Sequence, residues 1–136
     1  MDMTNKIKFR EFTTSSGKLV LAGRDAASNE KLVEQAGKNE YVLHTLAPGS
    51  PFCNIKCDKK ETSKEDLKET AIFCAKYSQA WKKAKVKKDV KVHVFLGKDI
   101  FKKEGMKIGT FGVKNIKEII ARKSEIIGSE KIENGQ

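Results

Sequence analysis

The stretch Val90-Lys91-Val92-His93-Val94-Phe95-Leu96 constrains the chain more than any other. Its alternation places Val90, Val92, Val94 and Leu96 on one face of a strand, and that face must be buried. A single strand has no stability in water, so the other residues have to supply neighbours and a covering layer. Residues 7–23 read as a hairpin, in which Ile7, Phe9, Leu19 and Leu21 alternate around the turn Ser15-Ser16-Gly17-Lys18. Tyr41 to Leu46 and Phe52 to Cys57 read as two strands that pair antiparallel across the breaker Ala47-Pro48-Gly49-Ser50-Pro51. Phe111 to Lys114 and Glu118 to Lys123 form a final strand pair after a basic loop punctuated by Gly105, Gly109 and Gly112.

Two helices fall between these strands. Asp25 is an N-cap for a short helix through Leu32 and Val33, stopped by Gly37. Thr62-Ser63-Lys64-Glu65 has the form of a capping box. It opens a long central helix on which Leu67, Ala71, Cys74, Ser78 and Trp81 recur at helical spacing. The pattern predicts an α+β fold, a single domain with a mostly antiparallel sheet, one long central helix and one short helix. Residues 5–123 form that domain and the polar tail 124–136 frays. At 136 residues the chain is long enough for one real core.

Charge is informative once it is located. Residues 1–75 hold 12 basic and 11 acidic side chains, whereas residues 76–123 hold 15 and 4. Such a concentration of cations is expected of a polyanion binder, because each phosphate neutralised releases counterions. A solvated lysine-rich surface is the alternative. No apolar run is long enough to span a membrane and the start has no signal-peptide core, so a cytoplasmic protein without membrane contact is expected. Cys53, Cys57 and Cys74 are an odd set that points to reduced thiols. On a strand, Cys53 and Cys57 lie about 13 Å apart, too far for one zinc ion. Buried core thiols are expected, with no metal and no cofactor.

Three groups of residues carry binding chemistry. Gly23-Arg24-Asp25, with Asn29 beyond, joins a strand to a helix start, where free amides and a guanidinium make a phosphate site. It is not a GxGxxG motif, so no dinucleotide is implied. His44 and Thr45 end a strand before the rigid turn Pro48-Gly49-Ser50. A nucleophilic Ser50–His44 pair needs an orienting acid and an oxyanion hole, and the sequence places neither. A neutral His44 donating to a carbonyl or a phosphate is expected instead. Lys82, Lys83, Lys85, Lys87 and Lys88 leave the long helix, and Lys98, Lys102, Lys103 and Lys107 follow the alternating strand. If these two groups share an edge, they form one surface for backbone phosphates. At 7% aromatic residues, base stacking has few platforms.

Taken in order, Gly23-Arg24-Asp25, Asn29-Glu30, His44, Pro48-Gly49-Ser50, then Phe73, Ala75, Tyr77-Ser78 and Trp81, then the valine strand and lysine-rich loop, the sequence resembles the NFACT-R domain. That is the RNA-binding module of the NFACT ribosome-associated quality control factors, also found in stand-alone and archaeal forms. The resemblance covers residues 5–123. Departures fall at Asn39 to Leu43 and at Pro51-Phe52-Cys53, so family roles at those positions do not carry over. The resemblance implies a stand-alone module that binds tRNA or rRNA, with the large ribosomal subunit as a partner. RNA modification, including tRNA thiolation, is a looser implication that would make His44 an acid or base. An adaptor that docks on rRNA without a pocket is the third reading. Whether Arg24 and His44 meet depends on strand order.

Overall fold

The valine strand lies inside the sheet, with a neighbour on each side. A computed structural model of the protein describes residues 8–133. Ile7 and the expected domain start at residue 5 lie outside the described residues. In chain order the elements are β1 (Arg10–Thr13), β2 (Leu19–Ala22), α1 (Ala26–Gln35), β3 (Glu40–His44) and β4 (Cys53–Asp58). They continue with α2 (Lys64–Lys76), α3 (Gln79–Lys82), β5 (Val90–Leu96), β6 (Ile100–Phe101), β7 (Gly112–Val113), β8 (Lys117–Ala121) and α4 (Lys123–Glu133). Six strands form one antiparallel sheet in the order β1-β2-β4-β3-β5-β8, and β6 pairs with β7 in a separate ribbon. The fold is α+β and mostly antiparallel, as the pattern predicts.

The sheet has a layer on each side. Val90, Val92 and Val94 of β5 pack with Val20, Leu43 and Ile55 beneath α2 and α4, which contribute Ala71, Phe73, Cys74 and Ile126. Phe95 points the other way and meets Leu32 of α1, Val42 and Phe52, with Ile100, Phe111 and Val113 of the β6–β7 region alongside. Cys53 and Cys74 are fully buried under the helices and Cys57 packs against the same core. A hydrogen bond with Cys74 and then burial push the Cys53 thiol pKa well up, which keeps it protonated and unreactive.

Several local expectations are corrected. The capping box is displaced by one residue: Ser63 Oγ accepts from the Asp66 amide at 3.0 Å, and Asp66 accepts from the Ser63 amide at 3.0 Å. Thr62 instead closes the preceding turn by donating to the Asp58 carbonyl. Asp66 holds the position because it also reaches the Ser16 hydroxyl at 2.6 Å, tying the β1–β2 turn to the helix. The long helix breaks at Tyr77. Ser78 donates to the Ala75 carbonyl and accepts from the Trp81 amide, so its side chain starts α3 afresh. The two last strands do not pair with each other, because β7 joins β6 and β8 extends the sheet beside β5. The tail is helical through Glu133, and Ile126 is fully buried. Its start is tied down by the Lys123 amide, which donates to Asp89 at 2.7 Å, and Glu130 accepts from the Trp81 indole at 3.0 Å. Among the described residues, no helix is long and apolar enough to cross a membrane.

Candidate nucleic-acid interface

Strand order brings the loop motifs to one end of the sheet, where β1 and β4 begin and β2 and β3 stop. Asp25 caps α1 by accepting from the Ser28 amide at 2.8 Å, while Ser28 Oγ accepts from the amides of Arg24 and Asp25. Those hydrogen bonds hold the Asp25 carboxyl below its ordinary pKa. The capping box thus engages the amides of Arg24, Asp25 and Ser28, and the available cation at this helix start is the exposed Arg24. Gly23 is required for a different reason: a Cβ at this position would lie 1.9 Å from Asn29 Oδ1. The vacant space lets Asn29 bridge to the next loop, accepting from the Phe52 amide at 3.0 Å and donating to the Ser50 carbonyl at 3.3 Å.

Ser50 is the centre of that loop. Its carbonyl also accepts from His44 Nε2 at 3.3 Å, and its hydroxyl accepts from the Gln79 amide at the start of α3. His44 lies flat on Phe52, with ring centroids 3.9 Å apart. Burial pushes its pKa down to about 4 against the Ser50 hydrogen bond, with the nearby His93 adding to the fall. The imidazole is neutral at pH 7 and donates to a carbonyl, as expected. It does not face the Ser50 hydroxyl, so the pair has no nucleophilic geometry. Thr45 points to the other side of the sheet, buried beside Ala80 and Ala84, and leaves the candidate set.

Two clefts open on this scaffold and share Asn29 and Gly49 as walls. The first is small, about 70 Å³, and lined almost wholly by polar atoms. Arg10, Arg24 and Lys82 converge on it, with the Arg10 guanidinium 4.0 Å above the Tyr77 ring. Among the described residues none of these three cations has a carboxylate within 4.0 Å, whereas Lys18, Lys31, Lys56, Lys68, Lys91 and Lys102 each do. Arg10 escapes a motif-based reading. It is recoverable from the hairpin, since a turn centred on Ser16 sets Arg10 opposite Ala22 and hence beside Gly23.

The second cleft encloses about 510 Å³ and is mainly apolar. It holds His44 and Arg24's neighbour Asp25, so Arg24 and His44 line adjoining clefts and not a single one. Phe52, Phe95, Phe111 and Val113 form its walls. Its rim carries Leu46, Ile108 and Ile116, which are 72%, 65% and 45% exposed. Pro48, Gly49 and Ser50 shape the boundary between the two, with Gly49 at φ +82 in the tight turn.

The nine lysines do not form one surface. Lys82, Lys83, Lys85, Lys87 and Lys88 follow α2 and α3, and Lys87 donates to the Trp81 carbonyl. Lys98 sits at the opposite end of β3 from His44, its amide bonded to the Lys38 carbonyl. Lys102 is a brace: its ammonium donates to Glu30 at 3.0 Å and to the carbonyls of Lys107 and Thr110. Lys103 lies over Phe101, and Lys107 is exposed on the same loop. Only Lys82 of the nine reaches the cationic cleft.

An α+β domain that gathers unneutralised arginines and a lysine at one end of its sheet has the electrostatics of a polyanion-binding module. Residues 8–115 match the family model described as the NFACT protein RNA binding domain, and the chain belongs to that family. Over 76 residues it is 41% identical to the archaeal Rqc2 homolog aRqcH of Methanocaldococcus jannaschii, which covers 55% of this chain and 11% of that protein. The C-terminal part of the fibronectin/fibrinogen-binding protein from Streptococcus suis has the same fold. That likeness has a TM-score of 0.76 at 20% identity, over 94% of this chain and 51% of the other. The chain thus spans only part of each of these relatives.

Proposed function

We propose that the protein holds tRNA or rRNA by its backbone phosphates at the cleft of Arg10, Arg24 and Lys82. The observation that carries this reading is the set of three cations without acidic partners, among the described residues, around one small polar cleft. Guanidinium groups suit phosphate oxygens because their planar fork can donate two hydrogen bonds at once. Gly23, Asn29 and Gly49 line this cleft, Asp25, Pro48 and Ser50 line the adjoining one, and Lys83, Lys85 and Lys88 extend the positive field beyond α3. Similarity to an Rqc2 homolog supports a role in ribosome-associated quality control in the cytosol, with the large ribosomal subunit as partner. Lys98 lies at the far end of the sheet and Lys102, Lys103 and Lys107 on the loop between β6 and β7, so these four contribute little to the phosphate contact.

The test is the salt dependence of binding to bulk tRNA and to large-subunit rRNA. For the natural sequence, log affinity falls steeply with log salt, and the slope shrinks by about one for each phosphate-contacting arginine replaced, as in Arg10→Gln and Arg24→Gln. An affinity indifferent to salt, or a slope unchanged in the double variant, rejects the reading.

A further inference from the structure

We infer that the apolar cleft beside the cationic one receives an unstacked base of single-stranded RNA, while the adjoining phosphate lies against Arg10 and Arg24. The inference rests on the phosphate reading above and adds an assignment for the neighbouring cavity. Three observations carry it. The two clefts share Asn29 and Gly49, so a chain bound in one continues directly into the other. The walls are aromatic where a flat ring would enter: Phe52 and Phe111 meet edge to face with centroids 5.6 Å apart, and His44 lies on Phe52. The rim leaves Leu46, Ile108 and Ile116 exposed together, an arrangement that marks a binding surface when it borders a cavity.

Charge favours a nucleic acid over an apolar peptide as occupant. Among the described residues Asp25 is the only acid lining the cleft, and its carboxylate is engaged in capping α1. Cations lie over aromatic faces on both sides: Arg10 and Lys82 over Tyr77, Lys87 over Trp81, and Lys102 over Phe111 of the cleft itself, 4.5 Å from the ring centroid. Single-stranded RNA is read in this manner, by inserting splayed bases against aromatic and apolar side chains while the backbone follows a positive groove.

The experiment compares a short mixed-sequence single-stranded RNA with an abasic ribose-phosphate oligomer of the same length, by fluorescence anisotropy. The base-bearing oligomer should bind about tenfold more tightly. Phe111→Ala should erase that advantage without changing the affinity for the abasic oligomer. Should Phe111→Ala disturb its loop in circular dichroism, the charge-neutral rim variants Leu46→Ala and Ile108→Ala give the same readout. A 4-thiouridine oligomer should crosslink to the segments around Phe52 or Phe111. Equal binding of the two oligomers with a steep salt slope, or crosslinks confined to Tyr77 and Trp81, overturns the base site and leaves the phosphate reading standing. Loss of the salt slope removes the phosphate reading itself.

Discussion

The two faces of the sheet are built to different standards. Under α2 and α4 a continuous core runs from Val20 to Ile126, and the helix start is anchored by Asp66 to Ser16, Ser63 and Lys18. On the other face one ten-residue helix and a two-stranded ribbon cover Leu32, Val42, Phe52 and Phe95, leaving an open cleft and exposed rim apolar groups. The first face supplies stability, so the second can leave apolar surface uncovered for a ligand.

The largest effect that tests this division is Asp66→Ala. Burial pushes the Asp66 carboxyl up, but hydrogen bonds from Ser16, the Ser63 amide and Thr14 outweigh it and hold the group well below its usual range. Its removal orphans these donors and should cost about 4 kcal/mol in urea denaturation. A loss below about 1 kcal/mol would break the comparison. Next in size is acidification, which separates the faces by pH window. An unfolded His44 binds a proton near its ordinary pKa of 6.5, whereas the folded one resists to about 4, so stability should fall as pH drops through that interval. The fall is at most about 3 kcal/mol. In His44→Gln, whose amide can still donate to Ser50, it should vanish, and a fall of unaltered size in this variant assigns it elsewhere. The loss due to Asp66, a carboxyl with depressed pKa, begins only below about pH 4, where the unfolded carboxyl protonates. Smallest is Ile108→Asp on the exposed rim, expected within about 0.5 kcal/mol of the natural sequence in thermal unfolding. A greater loss would show the rim to be structural.

Periodicity and caps made much of the fold readable. The alternation of β5, the turn at Ser15 to Lys18 and the Asp25 cap are local features, and each forms where the residues indicate. The break at Ser78 was invisible because Trp81 stays on the buried face after the interruption, so the apolar spacing is unaltered. The polar composition of α4 hides it from periodicity, and among its described side chains Ile126 alone is fully buried. At the site, Gly23, Arg24, Asn29 and Ser50 were legible as turn and cap residues. Their meeting with Arg10, Gln79 and Lys82 depends on sheet order and on the short α3, which no local pattern encodes. The same gap explains why nine lysines close in sequence do not form one surface.

Ser50 touches three elements with two atoms: its carbonyl takes Asn29 from α1 and His44 from β3, and its hydroxyl takes the first amide of α3. The wall between the two clefts is thus cross-braced from both sides. A ligand that fastens in one finds the other already set at the right offset, so the second contact forms without a further ordering cost. On the RNA reading proposed above, that offset sets the distance from a bound phosphate to its base.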